Sequence, residues 1–350
     1  VTGDGLRPGS ARSVAVLGAG SWGTTFAKIL ADAAIAAGEE RRIRIWGRRS
    51  EVVEQINGIH RNIQYLKDIP LPESISASTD VGEVLAGADL VVLAVPAQSL
   101  RLQLRDWKPM IEDHATVVSL MKGLELDTDA RMSEVISQEL DIPADRIAVI
   151  SGPNLAMEIA REEPTASVVA CADSAAAGWI ARSCTAPYFR PYTTADVVGV
   201  EIGGIVKNVI ALAVGICEGK QMGDNTKASV ITRGLAETSR LALALGGEAQ
   251  TMAGLAGLGD LVATCSSPLS RNHTAGRLLG EGLTLDEVAQ KMTQTAEGIK
   301  SGQAVHELAG KLGVEMPITA AVVAVLAGKL SVDQLGPLLL ARELKPEGDY

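Results

Sequence analysis

Short apolar runs alternate with longer mixed stretches through the first half of the chain. Ser13-Val-Ala-Val-Leu17 reads as a strand, and an Ala-rich helix follows from about Trp22 to Ala37. Ile43-Arg-Ile-Trp46 alternates as a second strand, and Glu51 to Asn57 suits a short helix. Ile59 to Ser78 reads as loop, because Pro70 and Pro72 break any helix. Val81 to Ala86 is helical. Asp89-Leu-Val-Val-Leu-Ala-Val95 is apolar throughout, the mark of a parallel strand buried on both faces. Thr116–Ser119, Ile147–Ile150 and Ser167–Cys171 continue the series. This rhythm predicts an α/β fold with a doubly wound parallel sheet.

The pattern changes after about Ala195. Long helical stretches take over at Val197–Glu218, Thr226–Leu245, Thr284–Met292, Gly298–Leu312 and Ile318–Leu326. The expectation is a loose, disordered tail over 1–12, an α/β domain over 13–195 and an all-helical domain over 196–350.

Composition narrows the function. The chain has 350 residues, 47% hydrophobic and 21% charged, enough for two separate cores. Its formal net charge is −10, which argues against a nucleic-acid partner and means that an anionic ligand needs local cations. Cys171, Cys184, Cys217 and Cys265 form no C-x-x-C pair and read as small buried residues in a reducing compartment. His60, His114, His273 and His306 lack metal-ligand spacing, so no metal is expected. With no apolar run of transmembrane length and no signal-peptide core near Val1, the expected location is the cytoplasm.

Gly18-Ala-Gly20-Ser-Trp-Gly23 fits G-x-G-x-x-G between a strand and a helix. In that context the glycines bring backbone N–H groups to a dinucleotide pyrophosphate, as in a Rossmann-type domain. Strand two ends in Trp46-Gly47-Arg48-Arg49 rather than in the acid that binds the ribose hydroxyls of NAD. The two guanidiniums favour the 2′-phosphate of NADP, with NAD still usable; a solvated basic turn is the alternative.

Val200 to Val214 is apolar on every face except at Lys207 and Asn208. Such a helix is buried, and a buried lysine needs a partner or a purpose. Burial disfavours a charged amine, and a neutral one can take the proton of an alcohol while hydride leaves. Gly203 and Gly204, one turn earlier, clear space beside it for another body. Lys122 and Ser151-Gly152-Pro-Asn154 follow strands, where doubly wound folds bind ligands. Asp260, in Gly257-Leu-Gly-Asp260, suits either a lysine partner or a first-turn acid, with Thr264 one turn on. Ser270 is a helix N-cap, so Arg271 in the first turn opposes the dipole unless an anion binds there, which suggests a phosphate site.

Taken together these segments resemble the bacterial NAD(P)-dependent glycerol-3-phosphate dehydrogenases. The likeness runs in order through Gly18–Gly23, Met121-Lys122-Gly123, Ser151–Asn154, Gly203–Asn208, Gly257–Cys265, Ser270–Asn272 and Ala296-Glu297-Gly298. It implies that Lys207 is the proton acceptor. Lys122, Gly152, Asn154, Asp260, Ser270, Arg271 and Asn272 would hold sn-glycerol 3-phosphate or dihydroxyacetone phosphate. Ser21, Trp22, Arg48, Arg49, Lys122, Ala156, Arg271, Thr295 and Glu297 would line the cofactor beside the three glycines. Asn154 departs from the Ser or Thr of many members, and Thr295 from their Val. The implied role is supply of glycerol 3-phosphate to phospholipid synthesis by a small-molecule enzyme with no integral membrane segment; a homodimer is left open. Two rivals remain at this point: a 3-hydroxyacid dehydrogenase of similar architecture and a non-catalytic NAD(P) sensor.

Overall fold

The structure is a computed structural model that describes residues 9–292 and 296–335. Residues 1–8 of the expected tail, and Thr295, lie outside the described residues. The chain divides into two compact units, Val1–Lys122 with Arg131–Val197, and Gly123–Ala130 with Val198–Tyr350. The eight residues Gly123–Ala130 therefore pack with the second unit, where the sequence order had set them in the first.

The first unit is built on eight strands: β1 (Ser13–Leu17), β2 (Arg42–Trp46), β3 (Ile75–Ser78), β4 (Leu90–Leu93), β5 (Thr116–Ser119), β6 (Ile147–Ser151), β7 (Thr165–Cys171) and β8 (Phe189–Thr194). They lie in the order β3-β2-β1-β4-β5-β6-β7-β8. The first six are parallel, which is the strand order of dinucleotide-binding sheets. β7 runs antiparallel to β6, and β8 parallel to β7, so the sheet is not parallel throughout. Helices α1 (Ser21–Ala37), α2 (Ser50–Ile59), α3 (Ile63–Leu66), α4 (Val81–Leu85), α5 (Leu100–Trp107), α6 (Met132–Leu140), α7 (Ala156–Ala160) and α8 (Ser174–Cys184) connect them. β1 and β4 are buried along their whole length, which is why they contain only small and β-branched or leucine side chains.

The chain is already packed before Ser13. Ala11 is 1% exposed, its N–H donates to Ser183 Oγ at 2.9 Å, and its carbonyl accepts from Arg41 Nε at 2.7 Å. The tail expected to be loose through Arg12 is thus anchored at Ala11, where a buried guanidinium needs backbone acceptors. The stretch Ile59–Ser78 also departs from a plain loop, since it holds α3 and β3.

The second unit contains α9 (Val197–Gly219), α10 (Asp224–Ala244), α11 (Ala249–Ala253), α12 (Asp260–Ser266), α13 (Arg271–Gly280), α14 (Leu285–Lys291), α15 (Glu297–Leu312) and α16 (Pro317–Leu326). Among the described residues no strand follows Thr194. α9 is the centre of this unit. By length and composition it is apolar enough to cross a membrane, against the expectation that no such run exists; its burial inside the unit accounts for that apolarity. α13 lies against it backbone to backbone. A Cβ at Gly215 would sit 2.1 Å from the His273 carbonyl oxygen, and one at Gly276 2.1 Å from that of Leu212. Neither helix tolerates a side chain at these crossings, so the start of α13 is held rigidly to α9.

Candidate active site

Each unit carries its own group of candidate residues. In the first, Gly18-Ala19-Gly20 forms the whole turn between β1 and α1. Gly18 has φ +130°, and a Cβ there would lie 2.3 Å from the Ala94 carbonyl oxygen. A Cβ at Gly23 would lie 2.1 Å from the Gly18 carbonyl oxygen. The protein's own backbone thus requires both glycines. Gly20 is different, because a Cβ there would meet nothing within 4 Å. Its bareness leaves room for a body from outside the chain. The N-terminus of α1, where Ser21 and Trp22 lie, has no side-chain cap and no acid in its first turn. Its dipole is therefore available to an anion. The Trp22 Nε1 and Ser151 Oγ atoms are buried without a hydrogen-bond partner. An open glycine, an uncapped helix start and orphaned polar atoms fit a dinucleotide pyrophosphate.

Beyond β2, Arg48 is exposed, whereas Arg49 is already held. The Arg49 guanidinium donates to the Tyr65 hydroxyl at 2.8 Å and lies over that ring, 5.3 Å from its centre. The loops after β5 and β6 meet through Lys122, whose Nζ donates to the Gly152 carbonyl oxygen at 3.0 Å. Gly152 has φ +142°. Both polar atoms of the Asn154 side chain are buried without hydrogen-bond partners. Ala156 opens α7, and its carbonyl oxygen accepts from Thr25 Oγ1 of α1 at 3.3 Å.

In the second unit the buried lysine has its partner. Lys207 Nζ donates to the Asp260 carboxylate and to Thr264 Oγ1, the latter at 2.8 Å. The Lys207 side chain is 9% exposed and that of Asp260 1%. Cys265 beside them is also buried, and burial pushes its thiol up to about 12. Asp260 is aimed by a π-helical turn, Leu255–Gly259, that runs directly into α12. Such turns interrupt helices at functional sites. They also explain Gly203, since a Cβ there would lie 2.5 Å from the Ala256 carbonyl oxygen. The body for which Gly203 makes room is this turn of the chain itself, not a ligand.

At the start of α13, Ser270 caps the helix by accepting the His273 N–H at 3.2 Å. Arg271 is exposed there. Asn272 is committed at both ends: its amide donates to Asn208 Oδ1 at 2.9 Å, and its oxygen accepts the Gly298 N–H at 2.8 Å. It ties α9, α13 and α15 together, so a substrate contact would have to use its remaining N–H. His273 sits 3.0 Å from the Glu218 carboxylate and is structural. Glu297 is exposed at the first position of α15. Sequence reading passed over Asn62 and Tyr65, which it had placed in a loop. The prolines of that stretch hid a short helix whose N-cap is Asn62.

A phosphate-accepting turn on a 3-2-1-4-5-6 sheet, in a chain that also buries an amine against a carboxylate, defines an NAD(P)-dependent dehydrogenase. The comparisons with known proteins narrow the class. Family models for the N-terminal and C-terminal parts of NAD-dependent glycerol-3-phosphate dehydrogenase match residues 13–177 and 196–336. A glycerol-3-phosphate dehydrogenase (NAD(P)+) of Thermobifida fusca is 57% identical over 334 residues, 95% of this chain and 98% of its own length. That of Streptomyces griseus is also 57% identical, over 95% of this chain and 97% of its own. The crystal structure of glycerol-3-phosphate dehydrogenase from Coxiella burnetii shares 37% identity and a TM-score of 0.88, covering 95% of this chain and 99% of that one. The chain belongs to the NAD-dependent glycerol-3-phosphate dehydrogenase family.

Proposed function

We propose that this chain interconverts sn-glycerol 3-phosphate and dihydroxyacetone phosphate with NAD(P). The observation that carries the reading is the buried Lys207–Asp260–Thr264 cluster in a family member whose other unit keeps an open Gly20 turn. Bound NAD(P)+ supplies the hydride acceptor. In its neutral form the Lys207 amine would take the hydroxyl proton as the C–H hydride leaves, and in the reverse direction the ammonium form, paired with Asp260, would give its proton to the carbonyl oxygen. Asp260 and Thr264 fix the amine's position. The family resemblance gives substrate contacts to Lys122, Gly152 and Asn154 in the first unit and to Asp260 in the second, where Arg271 and the start of α13 at Ser270 suit the phosphate. Asn272 acts mainly by fixing α13 against Asn208. Ser21, Trp22, Ala156 and the glycine turn hold the dinucleotide, with Glu297 at its edge.

Arg48 and Arg49 favour NADP over NAD, and the product serves phospholipid synthesis in the cytoplasm. Four free, buried cysteines, with the Cys184 thiol raised by burial to about 12, suit a reducing compartment. The rival reading as a 3-hydroxyacid dehydrogenase offers no phosphate for Arg271 and the start of α13. An absorbance assay of NADP+ reduction with glycerol 3-phosphate and with 3-hydroxyisobutyrate tests the assignment. Turnover of the first alone is expected; turnover of the second alone would overturn it.

A further inference from the structure

The short segment Asn62–Tyr65 touches both anion-binding parts of the first unit. Asn62 is wholly buried. Its Nδ2 donates to the Ala19 carbonyl oxygen at 3.0 Å and to Thr24 Oγ1 at 2.9 Å. These two acceptors stand on either side of Gly20. The amide orientation is fixed, because its oxygen could not face a carbonyl. The Ala19–Gly20 peptide is planar and trans, so holding its C=O toward Asn62 turns the Gly20 N–H to the opposite side of the turn. Gly20 has open space before it, and its own carbonyl oxygen accepts the Thr24 N–H at 3.0 Å, so Asn62 sets the peptide on its N-terminal side. Three residues on, Tyr65 holds the Arg49 guanidinium by its hydroxyl and its ring.

The segment is itself well anchored. Asn62 caps α3, its carbonyl oxygen accepting the N–H groups of Tyr65 and Leu66 at 3.1 and 2.8 Å. Leu66 is buried in the core, and Arg61 bridges to Pro70 at the base of the loop. We propose that Asn62 and Tyr65 are positioning residues for the cofactor. Asn62 aims the pyrophosphate-binding turn, and Tyr65 aims Arg49 at the 2′-phosphate. The proposal rests on the reading of the first unit as an NAD(P) site. It predicts two different signatures. Loss of Asn62 weakens every dinucleotide, since all carry the pyrophosphate. Loss of the Tyr65 hydroxyl weakens NADP+ alone.

Calorimetric titration of the full-length protein with NADP+ and with NAD+ tests this, with thermal unfolding measured on each variant. Asn62→Ala is expected to raise both dissociation constants by about tenfold, equally. Tyr65→Phe is expected to raise that of NADP+ by roughly threefold and leave NAD+ unchanged. If Asn62→Ala does not fold, Thr24→Val removes one of the two acceptors and is expected to weaken both dinucleotides by about threefold. A folded Asn62→Ala or Thr24→Val protein with unaltered affinities would overturn the role of Asn62. Equal losses for both dinucleotides in Tyr65→Phe would overturn that of Tyr65. An unaltered protein that binds neither dinucleotide would instead overturn the underlying reading, and this proposal with it.

Discussion

Lys207 and Asp260 form an ion pair closed off from solvent, with the hydroxyl of Thr264 as the amine's second acceptor. Two charges so placed are costly to desolvate, and a purely structural site would be served as well by apolar side chains. The pair makes sense where an amine must be held in place and exchange a proton.

Lys207→Ala is accordingly expected to lower kcat by about 10²–10⁴-fold. Cofactor affinity should be little changed, because Lys207 is not among the residues assigned to the dinucleotide. The variant removes the amine from a buried ion pair, so stability should also fall, by about 3–5 kcal/mol. Turnover is therefore compared per folded molecule, with calorimetry supplying the folded fraction. A folded variant with near-normal kcat would remove Lys207 from the chemistry.

Reversing both charges after β2, in Arg48→Asp with Arg49→Asp, should weaken NADP+ by at least about tenfold and NAD+ far less. Steady-state KM values for the two cofactors measure this. Equal losses would place both guanidiniums away from the 2′-position.

Arg271 is expected to act through the substrate's phosphate. With a net charge of −10 the protein's overall field does not attract a dianion. A charge-assisted bond contributes roughly 1.5–3 kcal/mol. Arg271→Ala should thus raise KM for glycerol 3-phosphate by about 10- to 100-fold while leaving the very poor substrate glycerol unchanged. Arg271→Lys should recover part of the loss, since an ammonium lacks the planar fork. An unchanged ratio of kcat/KM for the two substrates would mean that the phosphate is bound elsewhere.

Glu237 predicts a pH dependence of stability. It is buried on α10 and caps α16, accepting the N–H groups of Ile318 and Thr319 at 2.5 and 3.1 Å and the Thr319 hydroxyl at 3.1 Å. Burial outweighs these bonds and pushes its carboxyl up to about 7 from 4.5. A native state that binds the proton more tightly than the unfolded chain gains stability below the unfolded value. That contribution is lost as pH rises from about 4.5 through about 7. The full span is at most about 3 kcal/mol. Denaturant unfolding from pH 5 to 8 should show a decline that is flatter in Glu237→Gln. An identical pH profile in the variant would show that Glu237 does not titrate in this range.

The interior of the fold was legible in the sequence and its margins were not. β1, β4, β5 and β6 declare themselves because a strand buried on both faces can use little but apolar residues. β3 and β8 went unrecognised, and both are edge strands. β8 even contains Pro191, which only an edge can accept. Lys207 stood out because its helix is otherwise apolar, and a lysine partner was one of the two readings open for Asp260, though the π-helical turn that precedes it was not foreseen. Gly203 was read as clearing space for another body, and that body is the backbone of the π-helical turn, which a sequence cannot name in advance. Asn62 was invisible for a related reason. It is a polar residue in what reads as a loop, and one of its two partners is a carbonyl, which carries no side-chain signature.

The central claim is that this chain reduces a phosphorylated three-carbon ketone. Adding dihydroxyacetone phosphate to the purified protein with NADPH, and following the loss of nicotinamide absorbance, measures it most directly. Rapid oxidation of NADPH with formation of sn-glycerol 3-phosphate is expected, with far slower oxidation on unphosphorylated dihydroxyacetone. No oxidation with dihydroxyacetone phosphate under either NADPH or NADH, in protein that binds the cofactor, would contradict the assignment.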